Sequence, residues 1–281
     1  MLSVVVVAAA QASPAADRVG VNASGRSSTA GFSKALFVDV ATVAGYTRHS
    51  FDGDEGTWDG PAYHASLKPS SGGTTSIGWG VTFDLLSHVS AQKLAERWAL
   101  SFSNWSVVDR GAASMPHVVG GRRVGTIAGV MLLTQSPGSD GAAFKSAFAF
   151  PLCKGVVGVA HFASVGGSTR TAGPNGTYVV DDGTDIQVWN RTHIADSLKT
   201  VSLDGYLPAA HVTATARGRV VSGRVTDCVG HPMPAVAVTV GSTHTKTTSA
   251  GAYSARVTRS GRVTVGVTAG GGTARRTVTV R

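Results

Sequence analysis

The densest run of side chains able to do chemistry is Asp52-Gly-Asp-Glu-Gly-Thr-Trp-Asp59. Carboxylates packed this closely repel one another unless they are solvated or share a hard cation such as Ca²⁺. An EF-hand loop is excluded, because Gly56 falls at the third ligand position and Tyr63 where the closing Glu belongs. Trp58 inside the run can stack on a sugar ring or pack half-buried. The run nominates Asp52, Asp54, Asp59 and Trp58 as a ligand-binding loop, against the plainer reading of a solvated loop. Nine histidines are scattered along the chain, and none forms His-Glu-x-x-His or a close His-x-His pair. Local metal-site spacing is therefore absent, although distant histidines can still meet in space. No metal ligand, cofactor or catalytic residue is read from the sequence.

Ser90-x-x-Lys93 has the spacing of the Ser-x-x-Lys of penicillin-recognising enzymes, where a serine is activated by a neighbouring amine. The companion Lys-Thr-Gly is missing, since Lys246-Thr-Thr248 lies far along the chain and lacks the Gly. Ser90 reads instead as a helix N-cap. Cys153 and Cys228 are the only cysteines. An even count in an exported chain invites a bridge. Closing a loop of that length stabilises by about 4 kcal/mol in the chain-entropy model. Cys153 also ends an apolar strand, so a buried free thiol is the alternative.

The residues from 213 to 281 read as a small β module. Val221, Gly223 and Val225 alternate with Ser222, Arg224 and Thr226, the period of a half-buried strand. Val236, Val238 and Val240 repeat the pattern, as do Tyr253, Ala255 and Val257, then Val263, Val265 and Val267. Short strands separated by Gly and Ser turns indicate a small β-sandwich. The residues Gly223-x-Val225-x-Asp227-x-x-Gly230-x-Pro232, Ala235-Val236-x-Val238 and Thr248-x-x-Gly251-x-Tyr253 resemble the carboxypeptidase regulatory-like domain. That resemblance implies a transthyretin-like, Ig-like sandwich with no catalytic residues, a companion of secreted or surface domains. It covers about a quarter of the chain and speaks to fold, not activity.

Charge is concentrated in this module. From residue 213 onward there are ten basic side chains and one acid, Asp227, so the module holds the whole formal charge of +9. Such a field attracts polyanions, unless the charges serve only solubility. Arg256, Arg259, Arg262, Arg275 and Arg276 are the expected contacts to an anionic surface. An anionic cell-wall polymer or glycan is the expected partner. Specific nucleic acid is not, because no zinc finger, helix-turn-helix or aromatic RNA-binding motif is present.

Residues 1–12 hold a short apolar run and a small-x-small site, read as a signal peptide, and residues 13–34 read as a flexible leader. No segment has the apolar length of a transmembrane helix. Residues 35–212 are expected to form one α+β domain. Its expected helices are Ser90–Phe102, with Ala91, Leu94, Ala95, Trp98 and Phe102 on one face, and Ile186–Val201, preceded by Asp181, Asp182 and Asp185. Its expected strands lie at 36–40, 122–133, 144–150 and 155–163, and His211–Gly218 is read as the linker to the sandwich. These readings converge on an exported, non-catalytic, envelope-associated binding protein. The alternatives are a secreted hydrolase carrying the sandwich as an accessory module, and a structural spacer. A pocket setting His88, His117 or His161 beside a carboxylate would favour the hydrolase.

Overall fold

Val38 and Val40 are fully buried and alternate with half-buried Phe37, Asp39 and Ala41, the pattern of a strand with one face on a core. The computed structural model describes residues 16–22, 31–43, 46–52, 55–63, 73–85, 90, 93, 106–135, 144–165, 171–172, 178–179 and 196–281. Strand β1 (Ala16–Gly20) pairs antiparallel with β2 (Phe37–Ala41), and β3 (Thr47–Asp52) with β4 (Glu55–Tyr63). There follow β5 (Gly73–Leu85), β6 (Ser106–Val119), β7 (Arg122–Gln135), β8 (Phe144–Pro151) and β9 (Val156–Val165). A small separate pair is made by β10 (Thr171–Ala172) and β11 (Tyr178–Val179), and β12 (Val201–Asp204) completes the first body.

Ten of these strands form one sheet in the order β1-β2-β12-β6-β7-β8-β9-β5-β4-β3. All neighbours are antiparallel except β12 and β6, which run parallel. The sheet curls until its two end strands meet. Arg48 of β3 sets its Nε 2.6 Å from Asp17 Oδ1 of β1, and the Asp17 side chain is only 1% exposed. The result is a nearly closed barrel, which leaves few backbone groups on open edges. Its interior is filled by Phe83, Phe144, Phe150, Phe162, Leu36 and Met115, among others. Outside, Arg18 grips Asp39 through two hydrogen bonds of 2.8 and 2.7 Å and reaches Asp204 at 2.7 Å, tying β1, β2 and β12 together.

The second body is a sandwich. One sheet holds β13 (Ala209–Val212), β14 (Thr215–Arg217), β15 (Val220–Asp227) and β18 (Ala252–Arg256), all paired to β15. The other has the order β17 (Thr243–Lys246), β16 (Ala237–Val240), β19 (Gly261–Ala269), β20 (Gly272–Val280). Val221, Val225, Val238, Val240 and Val265 are fully buried between the sheets, as their alternation requires. Gly223 is needed because a Cβ there would stand 1.9 Å from the Thr213 carbonyl oxygen, which accepts a 2.7 Å hydrogen bond from Tyr253 Oη.

Several expectations change. The α+β central domain is not found: among the described residues helix is confined to residue 93, a turn at 196–198 and a 3-10 turn at Cys153–Gly155. Of the expected helix Ile186–Val201, residues 186–195 lie outside the described residues, 196–198 form a single helical turn, and Val201 instead opens β12, with Val201 and Leu203 buried in the barrel. Most of the expected helix Ser90–Phe102 lies outside the described residues, and Lys93 N–H does donate to Ser90 Oγ at 3.2 Å, as a cap would. Part of the expected leader, Ala16–Gly20, is the first barrel strand. The expected linker is no linker, since β13 and β14 belong to the sandwich and Ala209 and Val212 to its core. The strand expected at 144–150 is β8, and both of its faces are covered: Phe144, Phe148 and Phe150 pack inward, and Ala147 and Ala149 are fully buried in a second cluster on the other face with Leu132, Val157 and Val159. A strand buried on both faces reads as a continuous apolar run, which hides its period. Residues 1–12 lie outside the described residues.

The seam makes the first prediction. Arg48→Met leaves the buried Asp17 carboxylate without its counter-charge. Full removal of a buried partner costs roughly 3–5 kcal/mol, and the half-exposed guanidinium reduces this to about 2 kcal/mol. Urea unfolding of Arg48→Met and of Arg48→Met with Asp17→Asn measures it, and the double variant recovers most of the loss. Wild-type stability of Arg48→Met would show that the pair does not hold the seam.

Candidate functional site

The acidic run 52–59 is a hairpin and not a loop. Asp52 pairs with Glu55 at its end, Trp58 lies between Arg48 and Ile77, and Asp59 lies between Thr47 and Ser76. Four residues of extended strand, about 13 Å, separate Glu55 from Asp59, so Asp52 and Asp59 do not share one cation site. Asp54 lies outside the described residues.

Residues distant in sequence meet where the barrel joins the sandwich. His117 stands near the end of β6, at a bulge where its pairing with β7 slips between Gly125 and Arg123. Asp227 ends β15, and His231 follows in the turn closed by Gly230 N–H to Asp227 O at 3.1 Å. Asp227 Oδ1 accepts backbone hydrogen bonds from Val229 at 3.0 Å and His231 at 2.8 Å, which fixes the turn. Its Oδ2 faces His117 Nδ1 at 3.7 Å and His231 Nδ1 at 3.9 Å. The two Nδ1 atoms are 2.8 Å apart. His117 Nε2 lies 2.8 Å from the Gly205 carbonyl oxygen. A carbonyl only accepts, so Nε2 carries the proton and the neutral ring presents a bare Nδ1. Gly125 makes the room, because a Cβ there would sit 2.3 Å from the His231 ring.

The His117 and Asp227 side chains are each 2% exposed, and that of His231 is 16% exposed. Burial holds His117 neutral, its pKa pushed below the usual imidazole value, and the same burial pushes the Asp227 carboxyl up. The juxtaposition named for a hydrolase is thus met at His117, but in a packed joint. At His161 burial and the nearby Lys145 lower the pKa to about 3. His88 lies outside the described residues.

Cys228 follows Asp227 and is disulfide-bonded to Cys153 in the turn before β9, with Cα atoms 5.8 Å apart. Lys154 Nζ donates to Gly31 O at 2.9 Å and to Gly271 O at 3.4 Å, a further tie between barrel and sandwich. Tyr206 Oη donates to Pro234 O at 2.5 Å.

The basic residues do not gather on one patch. Arg262 and Arg275 lie on the outer face of the β17-β16-β19-β20 sheet, opposite Thr279 and Gly266 in the β19–β20 ladder. Arg256 lies on the other sheet, in one cross-strand row with Val220 and Arg217. Arg276 is exposed on the edge strand β20, and Arg259 in the turn between β18 and β19. Among the described residues no ion pair engages any of the five. Arg275 borders an open groove of about 510 Å³ lined by Thr239, Thr264, Thr268, Thr273 and Gly266. No helix among the described residues is long and apolar enough to cross a membrane.

No protein-family model matches the chain, and no curated protein matches it. The site rests on its geometry alone. Sequence reasoning missed the joint because its three residues come from two bodies. The Asp227–His231 spacing was visible only as a turn.

Two measurements probe this region. His161 has a folded pKa of about 3, well below the usual 6.5, so its contribution is whole above pH 6.5 and is lost as pH falls from there toward 3. Between pH 7 and 5 the wild type loses about 2 kcal/mol more than His161→Gln, at about 1.4 kcal/mol per unit of the titrating range. Parallel urea midpoints at the two pH values check this, and equal losses would mean that His161 is charged in the fold. Replacing both cysteines by Ser opens a loop of 75 residues and costs about 4 kcal/mol. Equal thiol counts in unfolded protein before and after reduction would remove the bridge.

Proposed function

We propose that the chain is an exported, non-catalytic binding protein whose sandwich holds it to an anionic envelope polymer or glycan. One observation carries this reading. Asp227 is the only acid between residues 213 and 281, and it is buried in the joint, so every charged side chain on that surface is cationic. The resemblance to the carboxypeptidase regulatory-like domain agrees with an accessory module of this kind. The arginines occupy both outer faces and one edge, which suits a flexible polyanion wrapped on the module more than a flat docking face. The threonine-lined groove with Arg275 supplies hydroxyl groups and a guanidinium at one place, the pairing that suits an acidic sugar. Against a hydrolase reading, the His117 ring is buried in the joint.

Co-sedimentation of the full chain with purified cell envelopes, at low and high salt, tests the proposal. Binding is expected at low salt and lost at high salt. Arg262→Ser and Arg275→Ser each weaken binding on the order of fivefold, as removing one cation near an anionic surface does. Arg217→Ser with Arg256→Ser tests the opposite face. Absence of sedimentation at low salt would overturn the proposal and leave the sandwich as a spacer.

A further inference from the structure

The geometry of the joint points to a metal site: we infer that His117 Nδ1, His231 Nδ1 and Asp227 Oδ2 bind one zinc-class divalent cation that clamps the barrel to the sandwich. The three atoms form a triangle with edges of 2.8, 3.7 and 3.9 Å. One point in its plane lies about 2.05 Å from all three, the length of a zinc bond to imidazole nitrogen or carboxylate oxygen. Two imidazoles and one carboxylate are a donor set that zinc-class ions accept.

The groups around the triangle are arranged as a ligand shell requires. The Gly205 carbonyl accepts a hydrogen bond from His117 Nε2–H and thereby leaves the bare Nδ1 facing the triangle. Asp227 Oδ1 is held by two backbone N–H groups, which leaves Oδ2 directed at the rings. Gly125 admits the His231 ring to the site. A hydrogen bond between the two imidazoles satisfies one Nδ1 pair and leaves Asp227 Oδ2 beyond hydrogen-bond reach of both rings. A cation meets all three atoms at once and offsets the charge of a buried carboxylate. His231 is the one member of the set with exposed surface, and a water ligand is what a three-ligand zinc-class site would take as its fourth.

The test uses the full, tag-free chain, stripped with a chelator and given Zn²⁺ alone. One equivalent is expected to bind, read by competition against a chromophoric chelator, and to raise the melting temperature by mass action. Co²⁺ in place of Zn²⁺ is expected to give the visible absorption of a low-coordinate nitrogen and oxygen site. His231→Gln, at the solvent edge of the joint, is the informative variant because its loss does not empty the packed core. It is expected to weaken Zn²⁺ binding at least about 100-fold. His211→Gln, on an exposed β13 position, leaves binding unchanged. Wild-type protein that takes up no Zn²⁺ at micromolar concentration would overturn the site and leave an imidazole pair. So would His231→Gln binding Zn²⁺ as tightly as wild type. Neither result bears on envelope binding, which the salt dependence above decides separately.

Discussion

A single buried carboxylate sets the relation between the two β bodies. Asp227 cannot be desolvated without partners, so its Oδ1 takes two backbone donors from the turn that follows and its Oδ2 turns to the barrel. That arrangement determines where Cys228 and His231 go. Cys228 is carried to Cys153 in the turn between β8 and β9, and His231 is laid over Gly125 against His117 of β6. The two ties land on different parts of the barrel. A disulfide alone would leave rotation about its own bonds, and the histidine contact removes it.

The same burial shapes the surface. An acid in the third strand of a small basic sandwich would ordinarily neutralise part of the field. Because Asp227 faces inward, ten exposed cations act with no opposing charge on the module. They are spread over both sheets, with Arg262 and Arg275 on one and Arg217 and Arg256 on the other. The field is therefore a property of the whole body, and its range is set by salt more than by local geometry.

The sandwich was legible in the sequence because its strands bury one face only. Val236, Val238 and Val240 fall on every second residue, and the turn residues between strands are of the kinds that turns require. The barrel was less so. Strands β8 and β9 bury both faces, so Ala147 and Ala149 look no different from their inward neighbours. In β6 the run from Val107 to Ala113 carries no clear alternation, and only Met115, His117 and Val119 show it. Acids at Asp181, Asp182 and Asp185 suit the start of a helix running to Val201, yet Val201 pairs with Val40 of β2. The joint was illegible for a different cause. Its supports are Gly125 and Gly205, residues that contribute space and a carbonyl, and neither leaves a chemical signature in sequence.

The one parallel pairing in the barrel makes the joint possible. β12 runs alongside β6 in the same direction, with Leu203 opposite His117 and Asp204 opposite Val118. The chain therefore leaves β12 at the same end of the barrel where β6 finishes. Gly205 N–H donates to Val118 O at 2.9 Å, and the Gly205 carbonyl meets the His117 ring directly beside it. Leu207 then enters the barrel core, Pro208 O accepts from Cys228 N–H at 3.1 Å, and Ala209 begins the sandwich. An antiparallel β12 would have released the chain at the far end, away from His117 and from the Cys153 turn. A strand direction fixed by the sheet thus decides which barrel residues the turn at Asp227 can reach.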